Sequence, residues 1–122
     1  VEVKGLGIDL AEVPRVRRLL LRHPGFAQRC FTPAEQKYAA GYADPVPRLA
    51  ARFAGKEAVM KSLGCGWRDI RWQDIEITGG GAPRVRLAGT ALARAGALGV
   101  TEVLVTITHT ADSALVLALA LA

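Results

Sequence analysis

The sequence predicts an α+β protein in which helices pack on an antiparallel sheet around one long central helix. Three observations carry this. Strand-like residues open the chain, the middle is rich in helix formers, and the last third is mostly strand with a tight reversal at His109-Thr110-Ala111-Asp112. The elements read β-α-α-α-β-β-α-β-β. A chain of 122 residues is long enough to bury a real core, so residues 1–122 are expected to form a single domain.

Val1 to Leu10 reads as the first strand, with Val3 to Leu10 as its body and two glycines, Gly5 and Gly7, that admit a close backbone neighbour. Asp9 falls at the strand's end, where a carboxylate faces solvent, a cation or a helix start. A helix follows from Glu12 to Arg22, with Pro14 in the first turn, where a missing N–H costs nothing. Val16, Leu19, Leu20 and His23 mark its buried side, and Arg15, Arg18 and Arg22 line another. Phe26 to Phe31 is an irregular or short helical connection. Thr32-Pro33-Ala34-Glu35 is a capping box with proline at the first helical position, which starts a helix running to Ala40.

Gly41 to Pro47 is a loop that feeds the central helix, Arg48 to Leu63, closed by Gly64 as its cap and broken by Gly64-Cys65-Gly66. Trp72 to Thr78 alternates as a strand and ends at the turn Gly79-Gly80-Gly81, before a short strand from Arg84 to Leu87. A short helix spans Gly89 to Leu98 with Gly99 as its cap. Glu102 to Thr108 and Ser113 to Leu121 are the last two strands.

The composition, 51% hydrophobic and 22% charged, is that of an ordered globular protein. Aromatics are few, so the core is built from closely packed small side chains and is suited to completion in an oligomer. A net charge of +5, carried mainly by arginine, predicts an acidic partner, whether protein, nucleotide or nucleic acid. Cys30 and Cys65 lack metal-ligand spacing and read as free thiols. There is no basic-then-apolar leader pattern, and the apolar run Ala114 to Ala122 falls short of the roughly 20 residues that span a bilayer. A cytoplasmic protein is expected, without a membrane partner.

Two acids are the candidates for chemistry, Asp9 and Glu57. Paired carboxylates suit Mg²⁺, which takes one or two of them and completes its shell with water and substrate phosphates. For Asp9 the alternative is a charge facing the dipole of the next helix. Phe53, Glu57, Lys61 and Gly64 fall along one helical stripe, where Glu57 and Lys61 also read as a solvated i,i+4 pair worth a few tenths of a kcal/mol. Arg52, Lys56 and Lys61 suit phosphate oxygens or, alternatively, a solvated face. His109 at a strand end reads first as a turn residue, and neither histidine has a zinc-ligand partner. No P-loop or dinucleotide glycine fingerprint is present, and Gly79 to Gly81 reads as a hairpin turn. The arginines at 15, 17, 18 and 22 suit an acidic protein helix at least as well as DNA, since no helix-turn-helix pattern or stacking platform accompanies them.

In combination these segments are specific. Gly7-Ile8-Asp9 followed by Arg15, the run Arg52-Phe53-Ala54-Gly55-Lys56-Glu57-Ala58-Val59-Met60-Lys61 with Gly64-Cys65-Gly66, then Trp72-Gln73-Asp74-Ile75-Glu76-Ile77, Gly81-Ala82-Pro83 and Thr106-Ile107-Thr108-His109-Thr110 closely resemble the holo-acyl-carrier-protein synthase family, the small 4'-phosphopantetheinyl transferases. The resemblance covers essentially the whole chain. It implies that fold, and transfer of the 4'-phosphopantetheine arm of coenzyme A to a serine of an acidic apo acyl carrier protein, for fatty acid biosynthesis, with release of adenosine 3',5'-bisphosphate. It also implies Mg²⁺ and a homotrimer with active sites between subunits. By resemblance Asp9 and Glu57 are the metal ligands, Lys61 joins them as the lysine that neutralises phosphate, Arg52, Lys56, Gly64, Pro83 and His109 surround the coenzyme, and Arg15 and Arg22 meet the carrier protein. Gly55 and Ser113 depart from the family pattern, in helix stability and in packing near His109 respectively. Two other readings of the sequence are a non-catalytic basic module for RNA or nucleotides and a transferase restricted to a megasynthase carrier domain.

Overall fold

Residues 1–122 are described by a computed structural model. The chain forms β1 (Val3–Glu12), α1 (Val13–Arg22), α2 (Phe26–Cys30), α3 (Pro33–Ala40), α4 (Val46–Ser62), a 3₁₀ turn (Trp72–Asp74), β2 (Ile75–Thr78), β3 (Arg84–Leu87), α5 (Gly89–Leu98), β4 (Glu102–His109) and β5 (Ser113–Leu121). The strands make two antiparallel sheets rather than one. β5 lies between β1 and β4 in the larger, and β2 pairs with β3 in the smaller.

Several boundaries differ from the sequence expectation, each for a local reason. β1 runs on to Glu12 because Leu10, Ala11 and Glu12 still have partners in Leu115, Ala114 and Ser113 of β5. Asp9 therefore sits inside the strand, opposite Val116, and not at its end. α4 begins at Val46, whose N–H donates to Asp44 Oδ1 at 3.1 Å, and Pro47 is absorbed in the first turn. Trp72 to Asp74 turns instead of extending, and Asp74 Oδ2 accepts from both the N–H (2.8 Å) and the hydroxyl (2.6 Å) of Thr90 at the start of α5. The capping box at Thr32 and Glu35 forms as the sequence predicts, and Gly64 and Gly99 take positive φ after their helices. His23 is exposed, since the chain turns away at Pro24 and only Val13 and Val16 of α1 are fully buried.

α4 is the core of the molecule, buried on nearly every side. It lies directly on the larger sheet because the strand beneath it lacks side chains where they meet. A Cβ on Gly5 would stand 1.8 Å from Ser62 O, and one on Gly7 would stand 1.9 Å from Ala58 O. Four helical residues advance about 6 Å and two strand residues about 6.8 Å, so the two repeats stay in step. The sheet residues opposite, Ala114, Val116, Ala118 and Ala120, are small and buried. The other face of this sheet carries Leu6, Ile8 and Leu10 with Leu115, Leu117, Leu119 and Leu104. Nothing in the chain covers it, and Leu6 is 61% exposed.

On its far side α4 is fixed by a buried ion pair. Lys56 Nζ lies 2.6 Å from Glu35 Oε1, with both side chains fully buried, and also donates to Trp72 O at 3.0 Å. The same Glu35 carboxylate accepts from the N–H of Thr32 and of Ile77, each at 2.9 Å. One network thus joins α3, α4, β2 and the 3₁₀ turn.

Gly7→Ala is expected to lower stability by about 3 kcal/mol or more, because neither backbone can give way to the added methyl. Urea unfolding with the midpoint and slope fitted together checks this, and a loss below about 1 kcal/mol would contradict it.

Candidate active site

The register of β1 on α4 determines where the first acid points. Gly5, Gly7 and Asp9 share one strand face, so the first side chain beyond the two glycines projects beside the helix. There the Asp9 carboxyl, 15% exposed, meets Glu57. Burial first, then the Asp9 charge and a hydrogen bond with Asp9, push the Glu57 carboxyl up to about 7, with Lys61 and Arg15 pulling the other way. Lys61 Nζ donates to Asp9 Oδ1 at 2.9 Å and to Ile8 O at 3.0 Å. The anticipated i,i+4 pair with Glu57 is not made, because Asp9 reaches the ammonium from the neighbouring strand. The centre is thus two pressed carboxylates, one half-exposed ammonium and a nearby guanidinium.

This donor set suits a hard divalent cation. Burial and its acidic neighbour hold Glu57 partly protonated, and a dication would take the place of that proton. The chain by itself has no cluster of three or more acidic, histidine or cysteine side chains that would form an all-protein cage. Two carboxylates with the rest of the shell left to water and substrate oxygens fit the cation better.

A second group of candidate residues gathers elsewhere. Arg52, Pro83 and His109 line a cavity of about 530 Å³ bounded by α3, α4, the Gly79–Gly81 turn and the ends of β4 and β5. Arg52 is only 5% exposed; its Nη2 donates to Gly79 O at 2.9 Å and its Nε has no partner. Burial lowers its pKa, partly offset by Tyr38 and Glu35. Asp9, Glu57 and Lys61 do not line this cavity. On one chain the two halves of the expected site therefore stand apart.

The other candidate residues divide. Gly64 ends α4 one turn beyond Lys61, where a Cβ would approach Arg94 Nη2 to 3.3 Å. Arg15 and Arg22 are exposed on α1 as expected, whereas Arg17 is engaged by both oxygens of Asp44, at 3.2 and 2.7 Å. Lys56 is a correction. It points into the core and is saturated by Glu35 and the Trp72 carbonyl, so it holds the fold and offers nothing to a phosphate. Desolvation lowers its pKa and Glu35 opposes the shift. Sequence reasoning misses three cavity residues, namely Tyr38, Tyr42 and Arg48. Their signal is the i,i+4 spacing of Tyr38 with Tyr42 across the end of α3 and of Arg48 with Arg52 on α4.

A two-carboxylate centre beside a lysine, on a long helix crossing a small antiparallel sheet, is an arrangement suited to phosphoryl transfer. Comparison with known proteins makes the class definite. Residues 5–118 match the 4'-phosphopantetheinyl transferase superfamily. The holo-[acyl-carrier-protein] synthase of Moorella thermoacetica is 50% identical over 105 residues, spanning 84% of this chain and 82% of that protein. The crystal structure of the holo-[acyl-carrier-protein] synthase from Neisseria meningitidis aligns with a TM-score of 0.86 at 30% identity, covering 98% of both chains. That of a holo-(acyl-carrier-protein) synthase from Bacillus anthracis, in complex with CoA (3',5'-ADP), aligns at 0.80 with 25% identity over 100% of both. The chain is a phosphopantetheinyl transferase. It belongs to the holo-acyl-carrier-protein synthase family, as the resemblance of its motifs implied.

The buried Glu35 and the half-buried Glu57 can both be tested by unfolding. Lys56→Met and Glu35→Gln are each expected to lose about 3–5 kcal/mol in urea unfolding, and the double variant less than their sum, since a single change strands a buried charge or donor. Strict additivity would refute the network. Glu57 keeps its proton up to about 7 in the folded chain and only to about 4.5 when unfolded, so its contribution to stability declines as pH rises between those values. In chelator, the Tm of Glu57→Gln minus that of the parent is expected to rise by roughly 2–5 °C between pH 5 and 8. A flat difference would mean that Glu57 ionises as an ordinary surface carboxylate.

Proposed function

We propose that residues 1–122 act as one domain that moves the 4'-phosphopantetheine arm of coenzyme A onto a serine of an apo acyl carrier protein, releasing adenosine 3',5'-bisphosphate. The observation that carries the assignment is the meeting of Asp9 and Glu57 beside Lys61. Asp9 and Glu57 would hold Mg²⁺. Bound there, the ion supplies charge neutralisation on the coenzyme's pyrophosphate.

Lys61 is half-exposed on a flexible stem, placed to add a second positive charge at a phosphate oxygen. The cavity at Arg52, Pro83 and His109 suits the adenosine end, whose negative charge a guanidinium recognises in bidentate fashion. The serine Oγ attacks the phosphorus joined to the pantetheine arm, and the bond to the departing adenosine bisphosphate breaks in line. Arg15 and Arg22 present positive charge to the acidic carrier, and Arg15 is close enough to act on Glu57, which sets the docking helix beside the reacting groups.

Two observations support a homotrimer with interfacial sites. The leucine-rich face of the larger sheet is uncovered, and the two halves of the site are separate on one chain. Two free cysteines agree with a reducing cytoplasm. No helix is long and apolar enough to cross a membrane.

Incubation with coenzyme A, Mg²⁺ and apo acyl carrier protein, followed by intact mass, is expected to show the carrier gaining one phosphopantetheine. Chelator should abolish the gain, and Glu57→Gln should slow it at least about 100-fold with the fold intact by circular dichroism. Near-parent turnover of Glu57→Gln at saturating Mg²⁺ would sink the residue's role, whereas no gain with the parent chain would sink the reaction.

A further inference from the structure

We propose that Tyr38 and Tyr42 are positioning residues for the coenzyme, stacked against Arg52 and Arg48 so that both guanidinium groups are held at the cavity before its anionic adenosine end arrives. This rests on the reading of that cavity as the coenzyme's seat.

The geometry is a ladder of two rungs. Tyr38 lies on α3 and Tyr42 two residues past its end, with ring centroids 5.5 Å apart at 69° and hydroxyls hydrogen-bonded at 3.2 Å. Arg48 and Arg52 are one turn apart on α4. The Arg48 guanidinium carbon lies 3.6 Å from the centroid of Tyr42, and that of Arg52 lies 4.4 Å from the centroid of Tyr38. All four residues line the cavity.

Neither arginine is paired with a carboxylate, although five ion pairs form elsewhere in the chain. Arg52 has one backbone acceptor, Gly79 O, and a buried Nε with none. Their positive charge is therefore not spent within the chain. A free arginine gives up much rotamer freedom when it clamps a phosphate, and a ring face that already fixes the side chain removes part of that loss. The rings thus act on affinity through the guanidinium groups, without a contact of their own to the reacting atoms.

Tyr42 and Arg48 form the more exposed rung and can be altered without opening the core. With the parent enzyme's turnover of coenzyme A and apo acyl carrier protein as reference, Tyr42→Leu is expected to raise KM for coenzyme A roughly fivefold, with the effect carried in KM and not in kcat. Tyr42→Phe, which keeps the ring, should restore KM to within about twofold. Arg48→Leu should raise KM at least as much, and Tyr42→Leu combined with Arg48→Leu should be no worse than Arg48→Leu alone, because the ring acts through the guanidinium. For 3'-dephospho-coenzyme A, which carries less negative charge at that end, the Tyr42→Leu penalty should shrink. Additive effects of the two leucine substitutions, an equal penalty for both coenzymes, or a Tyr42→Phe variant as impaired as Tyr42→Leu would each overturn the proposal. Absence of turnover by the parent chain would instead overturn the reading of the cavity on which it rests.

Discussion

The backbone contact between β1 and α4 is the constraint on which the site depends. Two glycines spaced by the strand repeat meet two carbonyls spaced by the helical turn, at separations that exclude any Cβ. Helix and sheet are locked in both translation and distance. Asp9, the next residue on that strand face, has no freedom about which part of α4 it meets. The carboxylate pair is thus a consequence of backbone packing, and the burial and repulsion that raise the Glu57 pKa are sustained by contacts two and four residues away in β1.

A strand contact alone leaves the helix free to roll, and the Lys56–Glu35 pair removes that freedom. Lys56 and Glu57 are adjacent, so they diverge by about 100° around α4. Burying the ammonium against Glu35 turns the neighbouring carboxylate toward β1. Arg52 lies about 140° around and about 7.5 Å along the helix from Glu57, which sends it into the cavity on another side. A buried pair of this kind adds little net stability compared with an apolar filling. Here its effect is orientation, and the three hydrogen bonds and ion contacts that Glu35 accepts make that orientation single-valued.

Local chemistry makes much of this legible in the sequence. The capping box at Thr32 and Glu35, the cap glycines at 64 and 99, and the close-approach glycines at 5 and 7 each depend on neighbours a few residues away or on backbone sterics alone. The acid pair becomes legible only through the combined motif, since nothing in Glu57's own helix distinguishes a metal ligand from a surface charge. Lys56 is misread because solvated and buried lysines look alike in a helix. Its partner, Glu35, already reads as a capping residue, and one carboxylate with two roles leaves one visible signal. The 3₁₀ turn at Trp72 escapes notice because Asp74 caps a helix fifteen residues later. The separation of Arg52, Pro83 and His109 from the acid pair is a tertiary fact with no local signature.

That separation bears on how the molecule works. Both half-sites are anchored on α4, so any element that moves the helix moves both, yet they open on different sides. A substrate with a charged adenosine end and a pyrophosphate needs cations at each. If one copy supplied both, its coenzyme would have to wrap around a buried helix. In the proposed homotrimer a neighbouring copy would remove the difficulty by setting its cavity against the acid pair of the first. The uncovered sheet face runs along β1 itself, with Ile8 directly preceding Asp9 and pointing to the opposite side. Under the proposed assembly, contacts over that face would press on the strand that carries Asp9, so covering the leucines and completing the site would become one event. The small side chains between β1, β5 and α4 are consistent with this. They let the helix sit so close that the core is filled from within, and the large apolar residues of β1 and β5 are left on the uncovered face.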